Sequence, residues 1–389
     1  MAVLSILAFV FPSNKSCRLV FYIMILKKLL QILFFSLLCF ACSSEKQQQS
    51  KDFIEIDMIP LIEGKAKEMP LQEWAKSVRF IPLEINEGAL TSPINNVFQH
   101  GDTILVYQWQ RLSVFDKNGK YLYDIGSEGM GPEEFVLARA VVLHNDLIYV
   151  HEFNGKVKVY DWKGNFVKKL DLPSNVWEVL TISGQEEMLA YVANQNGKET
   201  VRFYRMKGEK VLDSIPNPFR YRLPMGNWIV DYSDELHRTS GLLNAFMEMN
   251  SDTLYQLDEH LHTHPYIVFN MGKYLFTRKE RYNIISDEIW ELMEKKFNLK
   301  VTGELNDKVY FFNDRKQNIE RTRPHIGEIF CYDKNTEETS KCFLTYGEND
   351  WGILPDASFV PRTIFDDKYL VDWEQPDNED NPVLILVEP

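Results

Sequence analysis

His260, His262 and His264 alternate along one short run. On an extended strand alternate residues share a face, so three imidazoles there could converge on one zinc-type ion. The same run falls where the strand pattern places an outer hairpin turn, and polar side chains at such a turn are solvated. The solvated turn is the preferred reading, and no metal ligand or cofactor is assigned. Cys331 and Cys342 form a second candidate pair, flanking the polar stretch 333–339. A hairpin symmetric about 336/337 would set them opposite each other, at a separation that suits a disulfide. Two free buried thiols are the alternative, and both readings stay open. Other chemistry is missing from the sequence. The Gly126–Gly131 run lacks the Lys-Ser/Thr of a phosphate loop and precedes a strand, and there is no Gly-x-Ser-x-Gly elbow and no Cys-x-x-Cys pair.

The elements that must position these residues begin after an address. Lys27 and Lys28 precede an apolar run over 29–41, and Ala41 stands directly before Cys42. A basic start, a short apolar core and a small residue before the cut are the pattern of a secretory signal. The run is too short to span a membrane comfortably. Ala41-Cys42 resembles the bacterial lipobox, whose cysteine is lipidated and becomes the new N-terminus; position 39 is Cys where that motif prefers Leu. Residues 1–41 are therefore expected to be a signal peptide, with Met24 as an alternative start, and 42–52 a lipidated polar tether. The resemblance implies a membrane partner reached through lipid on Cys42, and residence in the bacterial cell envelope. The net charge is −13, and losing Lys15, Arg18, Lys27 and Lys28 takes it from −13 to −17. Such a body repels phosphates, so nucleic acid is not an expected partner.

Residues 53–389 read as all-β. Leu112-Ser-Val-Phe-Asp-Lys-Asn-Gly119 and Val157-Lys-Val-Tyr-Asp-Trp-Lys-Gly164 are each an alternating strand ending in a glycine turn. Weaker copies follow, with aligned aromatics at Phe115, Tyr160, Tyr204, Tyr255 and Tyr332. The first spacings match one four-stranded propeller blade. Five blades are expected at about 94–125, 139–172, 176–215, 227–270 and 300–346. The tail offers only three strands, and 78–84 near the front can supply the fourth, giving six blades and a closed ring. One helical insertion interrupts the repeat at about 280–297, where Ile289, Leu292, Met293 and Phe297 share a helical face.

The loop Gly126-Ser-Glu-Gly-Met-Gly-Pro-Glu-Glu-Phe135, followed by Leu147–Val150 and Val157–Asp161, resembles an NHL-type repeat. Together with Arg79–Glu84 and Ser251–Tyr255, the pattern over roughly 50–389 resembles the six-bladed β-propeller lipoproteins abundant in Bacteroidetes. That resemblance implies a fold and leaves the activity open. The expected binding surface is the mouth of the central channel, with Arg139, Trp177, Trp228, Trp351 and Arg362 as candidate anchors. Each also has a simpler use, since Trp packs between blades and an inner-strand Arg pairs with a neighbouring acid. The expected function is a binding or scaffold lipoprotein for an envelope protein, peptide or glycan. A hydrolase or lyase acting on glycan or peptide at the channel is the alternative.

Overall fold

The structure is a computed structural model, which describes residues 53–84, 93–152, 155–182, 184–194, 197–218, 236–241, 244–248, 251–277, 280, 292, 295–313, 327–376 and 381–389. The expected signal peptide and tether, residues 1–52, and most of the expected helical insertion lie outside them.

Six small sheets follow one another along the chain. Blade 1 comprises Asn96–His100, Thr103–Gln108, Arg111–Asp116 and Tyr121–Asp124. Blade 2 comprises Ala140–His144, Leu147–His151, Lys156–Asp161 and Phe166–Asp171, and blade 3 Val176–Thr181, Glu187–Val192, Val201–Lys207 and Lys210–Pro216. Blade 4 runs from Leu236–Arg238 through Ala245–Glu248 and Thr253–Leu257 to Thr263–Asn270. Blade 5 contains Leu299–Leu305, Lys308–Asn313, Ile329–Asp333 and Glu338–Thr345. Blade 6 joins Thr363–Phe365, Tyr369–Glu374 and Val383–Glu388 to Ser77–Pro82 from the front of the chain.

Local turn chemistry explains why each blade folds on itself. The hairpins between first and second strands place Asn145 and Asp146, Asn306 and Asp307, and Asp366 and Asp367 in left-handed conformations. Asn and Asp tolerate that region better than other side chains, which is why they recur there. Between third and fourth strands an aspartate organises the turn. Asp116 Oδ1 accepts the amides of Asn118 and Lys120, and Asp161 Oδ1 those of Lys163 and Asn165. Asp258 does the same for His260 and His262. This turn fixes the alignment of blade 4. Buried Leu257, directly before Asp258, stands where Phe115 stands before Asp116, so the aromatic expected at Tyr255 is two residues early.

The ring is held by six apolar seams, one between each pair of neighbouring blades. Phe135 and Tyr160 belong to the seam of blades 1 and 2, Val179 and Met206 to that of blades 2 and 3, and Phe203 and Phe246 to that of blades 3 and 4. Phe311 and Phe330 stack 5.3 Å apart between blades 4 and 5, Tyr346 and Phe359 lie between blades 5 and 6, and Phe115 and Trp373 close the circle between blades 6 and 1. Full burial of such a side chain contributes about 1.5–3 kcal/mol, so these seams dominate the stability. Phe297, the last apolar position of the expected insertion, is buried in the seam of blades 4 and 5.

The N-terminal contribution is longer than the single closing strand expected. Ile54–Asp57 adds in parallel to Thr263–Asn270 of blade 4. A short helix, Ile59–Glu63, leads to Lys67–Pro70, which adds in parallel to Glu338–Thr345 of blade 5. A second helical turn, Leu71–Trp74, precedes the blade 6 strand. This strap buries Ile56 and Met58 in one seam, Leu71 in the next, and Ile81 and Leu83 in the third.

Candidate functional site

In blades 1 to 5 the hairpins between strands one and two, and three and four, leave from one end of the strands, and blade 6 follows the same sense for its first hairpin. The connections between blades, and those between strands two and three, leave from the other. The described long connections 125–139 and 346–362 therefore lie on a single face. At that face the second strands carry buried polar groups at or just past their ends. Gln108, His151, Asn194, Glu248, Asn313 and Glu374 supply one from each blade, all nearly inaccessible to solvent. Burying polar groups is costly unless they are paired. Their repetition, one from each blade, gives this end of the ring a polar lining.

Two arginines occupy matching places there. Arg139 and Arg362 each directly precede an innermost strand, and the amide of each donates to a second-strand carbonyl, of His151 and Val371 respectively. The Arg139 guanidinium lies over the Trp177 ring, which joins these two sequence candidates across blades 2 and 3. Arg362 lies over Trp373, and its Nε donates to Asp372 Oδ1 at 2.8 Å. Asp372 is fully buried and also accepts from the Tyr346 hydroxyl at 2.8 Å and the Val360 amide at 2.7 Å. Glu374 Oε1 lies 4.0 Å from Arg362 Nη2. Burial, then the neighbouring Asp372 carboxylate, pushes the Glu374 carboxyl up to about 8, against the partial relief that Arg362 gives. A third pair, Arg202 with Glu248 at 2.7 Å, ties blade 3 to blade 4. The guanidinium is held more firmly protonated: desolvation opposes this, and the Glu248 carboxylate outweighs it.

The channel itself is narrowed from within. Ser240–Gly241 pairs in parallel with Gly303–Glu304 on the channel side of blade 5. Ser240 Oγ lies 2.9 Å from Thr363 Oγ1 of blade 6. A side chain at Gly303 would meet the Ser240 carbonyl at 2.0 Å, so glycine is what permits this approach.

Other candidates are placed elsewhere. Trp351 stacks at 6.1 Å on Phe80 of the outermost strand of blade 6, away from the channel, because its loop folds outward over the blade. Trp228 lies outside the described residues, as does Cys42. The cysteine hairpin is shifted by two residues from the expected register: Cys331 pairs with Ser340 and Cys342 with Ile329, and both thiols are free. The turn spans 334–337, which moves its axis to lie between 335 and 336 and sets the thiols diagonally. Of the three histidines, His262 and His264 meet the Asp258 carboxylate, whereas His260 turns to Glu259 at 3.6 Å.

Sequence reasoning missed a surface next to the polar ring. Trp109 and Val136 are half-exposed and Met130 is 93% exposed. The loops bearing them are tied together, since the Ala138 amide donates to the Trp109 carbonyl and Gln110 Nε2 to Glu128 Oε1. A Trp in a tight turn, where polar residues are the rule, was the available signal.

The geometry defines a six-bladed β-propeller with a polar, loop-lined face. The chain belongs to the family described as Domain of unknown function (DUF4934), whose model matches residues 53–388. It is similar in structure to a Bacteroides fragilis protein provisionally named as exported, with a TM-score of 0.61 at 15% identity, covering 86% of this chain and 99% of that one. The WD40 domain of Neurospora crassa Pan2 also matches, at a TM-score of 0.36 and 10% identity over 76% of this chain and 75% of that one. The first likeness is one of fold. No curated protein matches the chain.

Proposed function

We propose that this protein is a lipid-anchored component of the bacterial envelope whose propeller binds a polar partner, a peptide or glycan, at the loop face. The observation that carries the reading is the coincidence on that face of the connections 125–139 and 346–362, one buried polar group from each blade, and the exposed Trp109, Met130 and Val136. Aromatic side chains and arginine are frequent anchors of binding, and loops on a rigid ring are where recognition gathers. The Bacteroides fragilis neighbour named as exported is in keeping with the signal-like run before Cys42. Among the described residues no helix is long and apolar enough to cross a membrane.

The test of binding is a survey of envelope glycan fragments and peptides against the purified chain, read by calorimetry and tryptophan fluorescence. A ligand whose affinity falls at least tenfold in Trp109→Ala or Arg139→Ala supports the reading. If every ligand found binds both variants as well as the native chain, the loop face is not the site. The anchor is tested separately. Cys42→Ser should lose incorporation of labelled fatty acid and leave the membrane fraction, because stable attachment needs more than one acyl chain. Continued labelling of that variant would remove the anchor from the proposal.

A second reading, a hydrolase or lyase, rests on one observation: Glu374 has a carboxyl raised toward neutrality beside a second carboxylate, Asp372. Turnover of any bound glycan or peptide, abolished in Glu374→Gln, would favour it.

A further inference from the structure

We propose that Asp258, His262 and His264 form a binding site for a zinc-type divalent transition ion on the outer hairpin of blade 4. The ligand atoms of the three residues all lie within 4.8 Å of one another. Asp258 Oδ2 is 3.1 Å from His262 Nδ1 and 3.2 Å from His264 Nε2. Ligands at zinc distances on a tetrahedron stand about 3.3 Å apart, so two of the three edges already have the right length. A small rotation of either exposed imidazole closes the third.

The carboxylate is held in place before any ion arrives. Its other oxygen, Oδ1, accepts the amides of His260 and His262 at 2.8 Å each, which leaves Oδ2 to face both rings. The same turn aspartate recurs as Asp116, Asp161 and Asp333, and none of these has two histidines beside it. The turn thus belongs to the fold, and the histidines are particular to this blade. Two imidazoles and one carboxylate suit zinc, nickel or copper, and are a poor set for calcium or magnesium, which take oxygen donors. Three protein ligands leave at least one position open, for water or for a group from a partner.

The charge beside the hairpin is mixed. Glu259 and His260 border an open cleft shared with Glu186 and Glu187 of blade 3, and Gln185 Nε2 donates to the Glu259 carbonyl at 2.6 Å. Lys207 and Arg205 offset part of that field, lying 2.5 Å from Glu186 and 3.7 Å from Glu187. The alternation of histidines in the sequence nominated His260, and the structure replaces it with Asp258. The chain turns between 258 and 262 before the strand begins at Thr263, so His260 falls on the wrong side of the bend.

The experiment titrates the full-length chain, free of any histidine tag and stripped with chelator, with zinc chloride by calorimetry, with calcium chloride as the comparison. One zinc per chain is expected in the micromolar range, with no saturable calcium binding at these residues. His262→Ala and His264→Ala should each weaken zinc at least tenfold, and His260→Ala should leave it unchanged. Asp258→Asn keeps an oxygen for the turn amides and removes the charge, so it should weaken zinc with little change in thermal stability. The site is overturned if no saturable binding occurs, or if zinc binds His262→Ala and His264→Ala as well as the native chain. Loss in His260→Ala with retention in His264→Ala would also overturn it, by moving the ion off this set.

Discussion

Glu374 shows how the polar face is wired at the level of single groups. Its carboxyl ordinarily titrates near 4.5 and is raised to about 8 in the folded chain. Between those values the folded state holds a proton that the unfolded state has released. Stability therefore falls as pH rises through that window, by an amount on the order of a few kcal/mol, and is level above it. Glu374→Gln copies the neutral form and should flatten the dependence between pH 5 and pH 9, which urea unfolding at the two pH values measures. A variant with the native slope would show that another group carries it. The thiols make a second case. Burial pushes the Cys331 thiol up to about 11 and raises Cys342 as well. Only the thiolate is a good nucleophile, so alkylation near pH 7.5 should be slow in the folded chain and fast in denaturant. Mass spectrometry should find two free thiols, and a bridged species in the native protein would contradict the register of this hairpin.

Among the elements, the N-terminal strap carries the clearest consequence. A chain starting at about Asp52 keeps every strap residue and should fold fully. One starting at Ser77 loses Ile56, Met58 and Leu71, all buried, from two seams. Each buried aliphatic side chain removed costs about 2–5 kcal/mol, so this truncation should unfold at much lower denaturant or fail to fold. Equal midpoints for the two chains would mean that the strap is ornamental. The contrast also explains what the sequence made legible. Turns such as Asp116 to Gly119 and Asp161 to Gly164 are local, and a short run of residues displays their whole logic. The strands Ile54–Asp57 and Lys67–Pro70 are four residues each, too short for the alternation in the first to stand out, and pair with partners some 200 residues or more away. No local signal announces them. The same divide runs through the site. Arg139 and Arg362 were readable from their place before an innermost strand, whereas Trp351 was misplaced because a loop's direction depends on what it packs against. The outer turn expected at His260 is present, and it is what keeps the three histidines from sharing one strand face.

For the molecule as a whole, the seam between blades 6 and 1 is where the ring becomes a ring. Gly119 sits in the outer turn of blade 1 at φ +85°, and a side chain there would approach the Pro82 carbonyl to 2.1 Å. Its own carbonyl accepts the Glu84 amide at 2.8 Å. Gly119→Val therefore combines backbone strain with a collision against main chain and should lower the melting temperature by several degrees. Gly208→Ala is the matched comparison. It shares the left-handed backbone, at φ +57°, and has open space where the methyl would go. It should cost only about 1 kcal/mol. Similar losses in the two variants would show that the seam yields, and that closure is not the tight fit described.

The strap also sets a timetable. Ile54–Asp57, Lys67–Pro70 and Ser77–Pro82 are made before any of the six blades' own consecutive strands. Their partners are Thr263–Asn270, Glu338–Thr345 and Val383–Glu388, each later in the chain than the one before. Blades 1 to 5 can each form from consecutive strands as the chain lengthens, whereas Ser77–Pro82 waits for Val383–Glu388. The strap therefore docks in stages, blade 4 first, then blade 5, then blade 6. A nascent chain still lacking Val383–Glu388 would hold five finished blades and one open edge.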